Sequence, residues 1–309
     1  MLTLSHIMRQ QRTIKREITF SGIGLHTGRE VTVKVRPAAR DTGIVFYRKD
    51  KGALIRADLN NISDTAFATT LYSGNAKIKT VEHFLAATSG LGIDNLIVEV
   101  TGPEMPALDG SAMTIVEMLL EAGIAKQGRQ VSYIKVIKPL IYEDAHSRIM
   151  CLPYEGRKFS YHIHFDHQVL RRQSFSVTLN EKTFVAEIAP ARTFGFLKDL
   201  ENLRALGLAR GGSLDNAIVI GDEGILNPTG LRYDNEFVRH KILDAIGDFA
   251  LVGYPVLGHF ILEKSGHSSN TRFMKDLLQT IECYSFIEEG SSTLFDKPLV
   301  DYALVSQPC

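Results

Sequence analysis

Residues 81–100 read VEHFLAATSGLGIDNLIVEV, and residues 239–263 read RHKILDAIGDFALVGYPVLGHFILE. Each stretch begins with the apolar spacing of a helix, passes through glycine, and ends in an apolar run typical of a strand. A second helical pattern follows each of them, over residues 111–123 and 270–284. The sequence therefore contains a weak repeat of helix, strand and helix. The order of the predicted elements recurs, but the residues in the two copies are not identical.

The remaining segments add strands and helices around this repeat. Residues 29–37, REVTVKVRP, alternate so that Val31, Val33 and Val35 share one face, which predicts a half-buried strand. Thr80 precedes the first helix of the repeat and is its expected N-cap. Because strands and helices are mixed without regular βαβ alternation, the expected fold class is α+β.

The length of the chain predicts its division into domains. Its 309 residues are about twice the size of a usual domain, so we expect two. The polar run AKQGRQVS, residues 125–132, is the expected boundary. This gives an N-terminal α+β domain over 1–128 and a C-terminal α+β domain over 129–309.

Composition and charge narrow the classes of function. Lys plus Arg and Asp plus Glu number 35 each, so the formal net charge is zero, which argues against a nucleic-acid-binding protein. Three widely spaced cysteines form no CxxC pair, a pattern typical of a reducing cytosol. The first residues lack a signal-peptide pattern, and Met1 and Met8 are both candidate starts. No apolar run is long enough for a membrane span, so we expect a cytoplasmic protein without integral membrane association.

Residues 240–248, HKILDAIGD, carry polar groups inside an otherwise apolar segment. His240, Asp244 and Asp248 recur every four residues and therefore share one face of a helix, opposite the apolar face that a helix normally buries. A His and an Asp at this spacing most often form a solvated ion pair. If the helix is packed on several sides, however, its charges must be paired or bind a metal, and a catalytic zinc usually takes three protein ligands.

Two segments compete to supply a third ligand. His162 and His164 share one face of a predicted strand, but the other face is apolar, so we expect these histidines to point to solvent. His83 lies next to Glu82 near the start of the first repeat helix. A carboxylate beside a metal-ligating histidine suits a metal-dependent hydrolase, because it can take a proton from water. The alternative for Glu82 is an ordinary first-turn glutamate favoured by the helix dipole.

Three further motifs contain glycine. His267 lies in KSGHSS, residues 264–269, which predicts an exposed turn; a histidine there suits general acid catalysis but is more often merely solvated. Residues 21–28, SGIGLHTG, do not complete GxGxxG, and residues 210–215, RGGSLD, lack the second glycine of GxSxG. A dinucleotide-binding loop and a nucleophile elbow are therefore not expected.

Five motifs occur together in order and spacing: TVEHFLAATSGLGIDN, PALDGSA, ARTFGF, RHKILDAIGD and KSGH. In this combination nearly the whole chain resembles the zinc-dependent UDP-3-O-acyl-N-acetylglucosamine deacetylases of lipid A biosynthesis in Gram-negative bacteria. The resemblance implies two similar layered α+β domains that face each other across a metal site. It also implies hydrolysis of the 2-acetamido group of UDP-3-O-[(3R)-3-hydroxyacyl]-N-acetylglucosamine to acetate and the free amine, the committed step of lipid A biosynthesis.

The same resemblance implies roles for individual residues. Glu82 is the implied general base, and His267 is the implied acid that stabilises the oxyanion and helps the amine to leave. Thr193 is implied to donate a hydrogen bond to the tetrahedral intermediate, and Asp248 to orient and charge its neighbours, including His267. The implied ligands of one Zn²⁺ per chain, with Fe²⁺ as the alternative metal, are His83, His240 and Asp244.

The resemblance also implies contacts with the substrate. Lys241 and Lys264 are implied partners of its phosphate or sugar, and Phe165 lies at a position that packs near the uracil. Ala68 stands where some family members carry a cysteine, which is expected to alter metal–thiol side reactions rather than catalysis. Residues 192–213 match an insert that forms a passage for the acyl chain, and core packing is the alternative for its apolar stripe. That stripe contains Phe194, Phe196, Leu197 and Leu200.

A second hypothesis comes from a different class of protein. In it the chain is a non-catalytic nucleotide-sugar-binding or scaffold protein, and the His and Asp side chains form salt bridges. This hypothesis predicts binding of UDP without a metal, and the joint presence of Glu82 and His267 argues against it. For the enzyme, the expected partner is UDP-3-O-acyl-GlcNAc, nucleic acid is not expected, and the chain is expected to act as a monomer.

Overall fold

The structure is a computed structural model that describes residues 8–167 and 170–288. Met1, one of the two candidate starts, and Cys309 lie outside the described residues, as does the end of the expected second domain. Within the described residues the helices are α1 (Glu82–Leu91), α2 (Met113–Ala122), α3 (Glu181–Thr183, continued by a π-helix over Phe184–Ile188), α4 (Leu200–Ala205), α5 (Glu236–Ala250) and α6 (His267–Gln279).

The strands fall into two groups along the chain. The first group is β1 (Gln10–Ile14), β2 (Ile18–Ile23), β3 (Glu30–Pro37), β4 (Ile44–Arg48), β5 (Ala53–Arg56), β6 (Ile62–Asp64), β7 (Thr70–Ser73), β8 (Ala76–Ile78), β9 (Leu96–Val100) and β10 (Ile124–Gln130). The second group is β11 (Tyr133–Val136), β12 (Leu140–Glu143), β13 (Arg148–Leu152), β14 (Arg157–His164), β15 (Arg172–Thr178), β16 (Phe194–Phe196), β17 (Ile218–Ile220), β18 (Val256–Glu263) and β19 (Tyr284–Ile287).

The first large sheet has the strand order β2-β3-β9-β4-β5. Its central strand β9 runs antiparallel to β3 and parallel to β4. Val31, Val33 and Val35 of β3 are buried, as their alternation predicted. A three-stranded sheet, β6-β7-β8, completes this half of the molecule.

The second large sheet is built around β18. This strand pairs antiparallel with β13 and parallel with β14 and β11, while β12, β15 and β19 lie further out. The sequence α5–β18–α6 therefore repeats α1–β9–α2, because in each case the first helix leads into a central strand and a second helix follows. The predicted α+β class and the predicted repeat are confirmed.

Helices α1 and α5 pack against each other, and this contact joins the two halves. Their buried apolar residues and those of both large sheets form one continuous hydrophobic cluster. The polar run expected as the domain boundary is mostly strand, because β10 pairs with β1. The chain thus passes from the β1–β10 pair to the second large sheet at residues 131–132, and the division into two domains stays a prediction.

The start of α1 differs from the prediction. Thr80 is not its N-cap; the helix begins at Glu82, and Val81 is the N-cap. Thr80 instead has a φ of 59°, and its hydroxyl donates a hydrogen bond of 3.0 Å to Oε1 of the buried Glu104. The hydroxyl is therefore engaged with a carboxylate rather than accepting from a helix amide. Helix α1 ends at Gly92, which has a φ of 64°.

Within residues 8–167 and 170–288, no helix combines the length and the apolar character that crossing a membrane requires.

Candidate active site

Three candidate ligands lie together at the contact between α1 and α5. His83 comes from α1, and His240 and Asp244 come from consecutive turns of α5. All three are buried, and one potential ligand atom from each lies within 4.8 Å of the other two. Oδ1 of Asp244 is 3.3 Å from Nε2 of His240 and 3.7 Å from Nε2 of His83. The structure thus brings together the ligand set that the sequence analysis assigned.

Glycine makes this close packing of the helices possible. Gly247 of α5 lies against the backbone of Glu82, so that a Cβ at residue 247 would be 2.1 Å from the Glu82 carbonyl oxygen. Because no side chain separates the helices here, residues on both sides of Gly247 approach the first turn of α1. Glu82 and His83 are consequently buried, at 3% and 8% exposure, rather than at the polar margin of the helix.

The chemistry of the three residues fits a divalent metal. Nδ1 of His240 donates a hydrogen bond of 3.0 Å to the Ala191 carbonyl, which leaves Nε2 free of a proton and directed at Asp244. Burial lowers the pKa of His240 to about 4, so the ring is neutral at physiological pH. Burial opposes ionisation of Asp244, yet Lys241 and His240 hold the pKa of its carboxyl well below the ordinary value. Two imidazoles and one carboxylate form a usual donor set for zinc.

Lys241 completes the surroundings of this carboxylate. Its Nζ donates a hydrogen bond of 2.9 Å to Oδ2 of Asp244, which leaves Oδ1 facing the histidines. Although burial alone would lower it, the pKa of Lys241 is raised by the charge of Asp244. Lys241 is therefore a permanent cation at the edge of the site.

Glu82 and His267 stand beside the three ligands. Oε2 of Glu82 accepts a hydrogen bond of 3.0 Å from the backbone N–H of Thr69, and its Oε1 is 3.9 Å from Nε2 of His267. Burial raises the pKa of Glu82, which makes this carboxylate a stronger base than one in water. A base and a cationic acid thus face each other next to the candidate metal ligands.

Asp248 holds the His267 ring in place. Its Oδ2 accepts hydrogen bonds from Nδ1 of His267 at 2.9 Å and from Nδ2 of Asn270 at 2.8 Å. Burial disfavours the imidazolium, but the charge and hydrogen bond of Asp248, together with Glu82, raise the pKa of His267 to about 9. His267 therefore carries a proton at neutral pH, as a general acid requires.

The prediction that His267 lies in an exposed turn is wrong. It is the first residue of α6, with Gly266 as N-cap, and only 11% of its side chain is exposed. The turn is shorter than predicted because the Ser269 hydroxyl and the Gly266 backbone bond to each other across the first turn of the helix. The strand histidines His162 and His164 are exposed, as expected, and lie outside the ligand cluster.

Thr193 follows a segment that is fixed by a buried ion pair. Nε of Arg192 lies 2.9 Å from Oε1 of Glu236, at the start of α5, and the same carboxylate accepts the backbone N–H of Arg192 at 3.0 Å. Thr193 donates its backbone N–H to the Gly110 carbonyl at 2.8 Å and is half-buried. It lies two residues after Ala191, whose carbonyl orients His240.

A cavity of about 340 Å³ opens beside the site. Lys241, Lys264 and Phe165 are among its lining residues, so the structure brings together the three residues predicted to contact phosphate, sugar and base. Lys264 lies in the short connection between β18 and α6, with a φ of 51°. The lining of the cavity thus combines two lysines with an aromatic ring.

The predicted insert contributes an aromatic cluster. Phe194 and Phe196 lie in β16, and their ring centroids are 6.1 Å and 5.7 Å from that of Phe165. The Phe194 centroid is also 6.3 Å from that of His240. Leu197 is 46% exposed, whereas Leu200 is half-buried at the start of α4. Part of the apolar stripe therefore packs on the core and part of it faces solvent.

Several residues of the site escaped the sequence analysis. Thr69 contacts both Glu82 and Asp248, Asn270 contacts Asp248, and Gly247 allows the helix contact. Glycine between two functional residues of an amphipathic helix was a usable signal, because glycine weakens a helix and calls for a packing reason. Thr69 and Asn270 gave no such signal, since threonine and asparagine are common in loops and helices.

Comparison with known proteins agrees with this geometry. The sequence model of the family described as "LpxC: UDP-3-O-acyl N-acetylglycosamine deacetylase" matches residues 11–279. A UDP-3-O-acyl-N-acetylglucosamine deacetylase from Thermodesulfovibrio yellowstonii is 51% identical over 279 residues, which are 90% of this chain and 95% of that protein. The proteins of the same name from Syntrophus aciditrophicus and Teredinibacter turnerae are 47% and 42% identical, over 88% and 95% of this chain and 87% and 99% of their own length. The resemblance found from the motifs is thereby confirmed, and the chain belongs to the UDP-3-O-acyl N-acetylglycosamine deacetylase family.

Proposed function

We infer that this chain is a metal-dependent deacetylase. It hydrolyses the 2-acetamido group of UDP-3-O-[(3R)-3-hydroxyacyl]-N-acetylglucosamine to acetate and the free amine, a step of lipid A biosynthesis. Its family membership supports the reaction and the substrate. The observation that carries the proposal is the cluster of His83, His240 and Asp244 with the Glu82–His267 pair beside it.

His83, His240 and Asp244 would hold the metal, for which we propose one Zn²⁺ per chain, with Fe²⁺ as the alternative. The bound metal supplies a Lewis acid for the amide carbonyl and for water. The protein supplies a neutral imidazole at His240 and an ionised carboxylate at Asp244 without any change of their protonation at physiological pH. Binding of the cation therefore requires no proton release from His240 or Asp244.

Glu82 acts as the general base in this proposal. Its carboxylate is fixed by the Thr69 N–H, and burial strengthens it as a base, so it takes the proton of the attacking water. His267 enters the reaction protonated. Its Nε2 faces Glu82, and the charge of the imidazolium stabilises the oxyanion before the proton passes to the departing amine nitrogen.

Asp248 and Thr193 support this chemistry from either side. Oδ2 of Asp248 accepts a hydrogen bond from the Nδ1–H of His267, which leaves the Nε2–H as the acid directed at the reacting atoms. The backbone of Thr193 is held by its hydrogen bond to the Gly110 carbonyl. We propose that its hydroxyl donates to the tetrahedral intermediate.

The surrounding cavity accounts for substrate recognition. Lys241 and Lys264 provide two cations for the phosphates or the sugar, and Phe165 provides an apolar surface near the uracil. Phe194 and Phe196 extend from the Phe165 ring and form the start of the acyl passage. Leu197 and Leu200 continue it.

Three wider features belong to the same proposal. The domains divide at residues 128 and 129, within β10, so that each half contributes one helix to the metal site. We propose that the chain acts as a monomer. A cytoplasmic location agrees with the nucleotide-sugar substrate and with the free, buried thiols of Cys151 and Cys283.

The test is acetate release from UDP-3-O-acyl-GlcNAc by the purified chain and by its Glu82→Gln variant. We expect turnover in the wild type and a loss of about 10²- to 10⁴-fold in kcat in the variant, with metal content retained, because only the base is removed. Glu117→Gln on α2 is the matched control, since this glutamate is exposed.

The scaffold hypothesis predicts a different outcome. Binding of UDP without acetate release, in protein that contains a full complement of added zinc, would refute the deacetylase proposal. Equal turnover in the Glu82→Gln and Glu117→Gln variants would refute the role of Glu82.

A further inference from the structure

Thr69 connects two of the carboxylates in the site. It lies directly before β7 and is fully buried. Its backbone N–H donates to Oε2 of Glu82 at 3.0 Å, and its hydroxyl donates to Oδ1 of Asp248 at 2.6 Å. Glu82 belongs to α1 and Asp248 to α5, so one residue from a third element bridges the two helices.

The contact with Asp248 has consequences for His267. Oδ2 of Asp248 accepts from His267 and from Asn270, so this oxygen is fully used. Oδ1 has the Thr69 hydroxyl as its donor, at the short distance typical of a hydroxyl bound to an ionised carboxylate. Without that hydroxyl a buried, charged oxygen loses its hydrogen-bond donor. Rotation of the carboxylate toward another donor then becomes favourable. Any such rotation moves the oxygen that orients the His267 ring.

We propose that Thr69 is a positioning residue for the deacetylation reaction: through its backbone it fixes the carboxylate of Glu82, and through its hydroxyl it fixes that of Asp248 and thereby the ring of His267. This inference rests on the proposed function. It assigns Thr69 no contact with substrate or metal. Its effect is on the placement of the base and the acid relative to each other, and so on kcat rather than on substrate binding.

The chain contains a matched control in the next residue. Thr70 is also buried, at 5% exposure, but its hydroxyl has no hydrogen-bond partner among the described residues. Replacing either threonine by valine removes one hydroxyl and keeps the shape of the side chain. The two variants therefore differ in whether the lost hydroxyl contacted Asp248.

The experiment measures kcat and KM for acetate release, metal content and Tm in four full-length proteins: wild type, Thr69→Val, Thr69→Ser and Thr70→Val. Hydrogen bonds to charged groups are worth enough to change a rate about 10- to 100-fold. We expect a loss of that size in kcat for Thr69→Val, with KM within about twofold and metal content unchanged. Thr69→Ser, which keeps the hydroxyl, should recover most of the rate, and Thr70→Val should match the wild type.

Each other outcome has a defined meaning. Equal kcat in Thr69→Val and Thr70→Val overturns the inference, as does a loss that appears mainly in KM or that serine does not rescue. If Thr69→Val fails to fold, Thr69→Ala compared with Thr70→Ala gives the same contrast. Absence of acetate release in the wild type refutes the proposed function instead, so the two failures are distinguishable.

Discussion

The backbone of Gly247 lies against the carbonyl of Glu82, and a Cβ at residue 247 would stand 2.1 Å from that oxygen. Gly247 lies between Asp244 and Asp248 on α5, and Glu82 begins α1. The position of Glu82, the proposed general base, relative to the proposed metal ligands therefore depends on the absence of a side chain at one helical residue.

Gly247→Ala should accordingly be destabilising. In an unconstrained helix this change stabilises by about 1 kcal/mol, because alanine is the better helix former. Here α1 and α5 must separate, which we expect to lower the free energy of unfolding by about 1–3 kcal/mol and kcat by about 10²-fold. Denaturant unfolding and acetate release measure the two effects. Gly224→Ala is the control, since a Cβ there meets nothing within 4 Å, and equal behaviour of both variants would contradict the prediction.

Metal content should depend on Asp244. We expect about one zinc or iron per chain in wild-type protein purified without chelator or added metal, and much less in Asp244→Ala, because the site loses its one anionic ligand. Asp276→Ala on α6 is the control, because that aspartate is exposed. Elemental analysis by mass spectrometry gives the answer. If the wild type contains no metal even after zinc is added, the alternative in which His83, His240 and Asp244 form a salt-bridged cluster would replace the metal site.

Breaking the buried Arg192–Glu236 ion pair should lower the free energy of unfolding far more than breaking a surface ion pair. Glu236→Gln leaves the guanidinium of Arg192 buried without its countercharge, and such losses amount to about 3–5 kcal/mol. Glu181→Gln removes the partner of Arg12, where the side chains are 23% and 49% exposed, and should cost about 1 kcal/mol or less. Urea unfolding of the two variants compares the costs. Similar values would mean that water reaches Arg192.

Stability of the metal-free protein should fall with rising pH because of His267. Its pKa is about 9 in the folded chain and about 6.5 when unfolded, so the folded state binds more protons between these values. The contribution of His267 to the free energy of unfolding is fully present below about pH 6.5 and is lost as the pH passes 9. Its upper limit is about 3 kcal/mol. The difference in unfolding free energy between wild type and His267→Gln, measured from pH 6 to 10, isolates it. His162→Gln, at an exposed histidine, is the control for the substitution itself; a flat difference for His267→Gln would disprove the ion pair with Asp248.

The sequence predicted what depends on periodicity and motif. The alternation of Val31, Val33 and Val35 predicted a strand, and the four-residue spacing of His240 and Asp244 predicted a shared helix face. Both are properties of a single element, and both are confirmed.

What escaped prediction depends on contacts between distant segments. The Thr80 hydroxyl binds Glu104 instead of capping α1, and His267 is drawn into a buried pair with Asp248 instead of lying in an open turn. The role of Thr69 likewise exists only once β7, α1 and α5 have met. At these positions the structure is determined by contacts with residues far away in the sequence, which spacing rules do not predict.

The proposed ligand set is divided between α1 and α5, so we expect binding of the proposed metal to depend on folding. An unfolded chain offers the ion at most the neighbouring pair His240 and Asp244, while His83 is brought in only when the two helices have docked. Because the ion then binds the folded state far better than the unfolded one, free metal at 100 times its dissociation constant adds about 2.7 kcal/mol to the stability of the docked form. If His83, His240 and Asp244 bind the proposed metal, the supply of the ion and the completion of the fold are thermodynamically linked, and we expect a shortage of the ion to reduce the amount of folded protein as well as its activity.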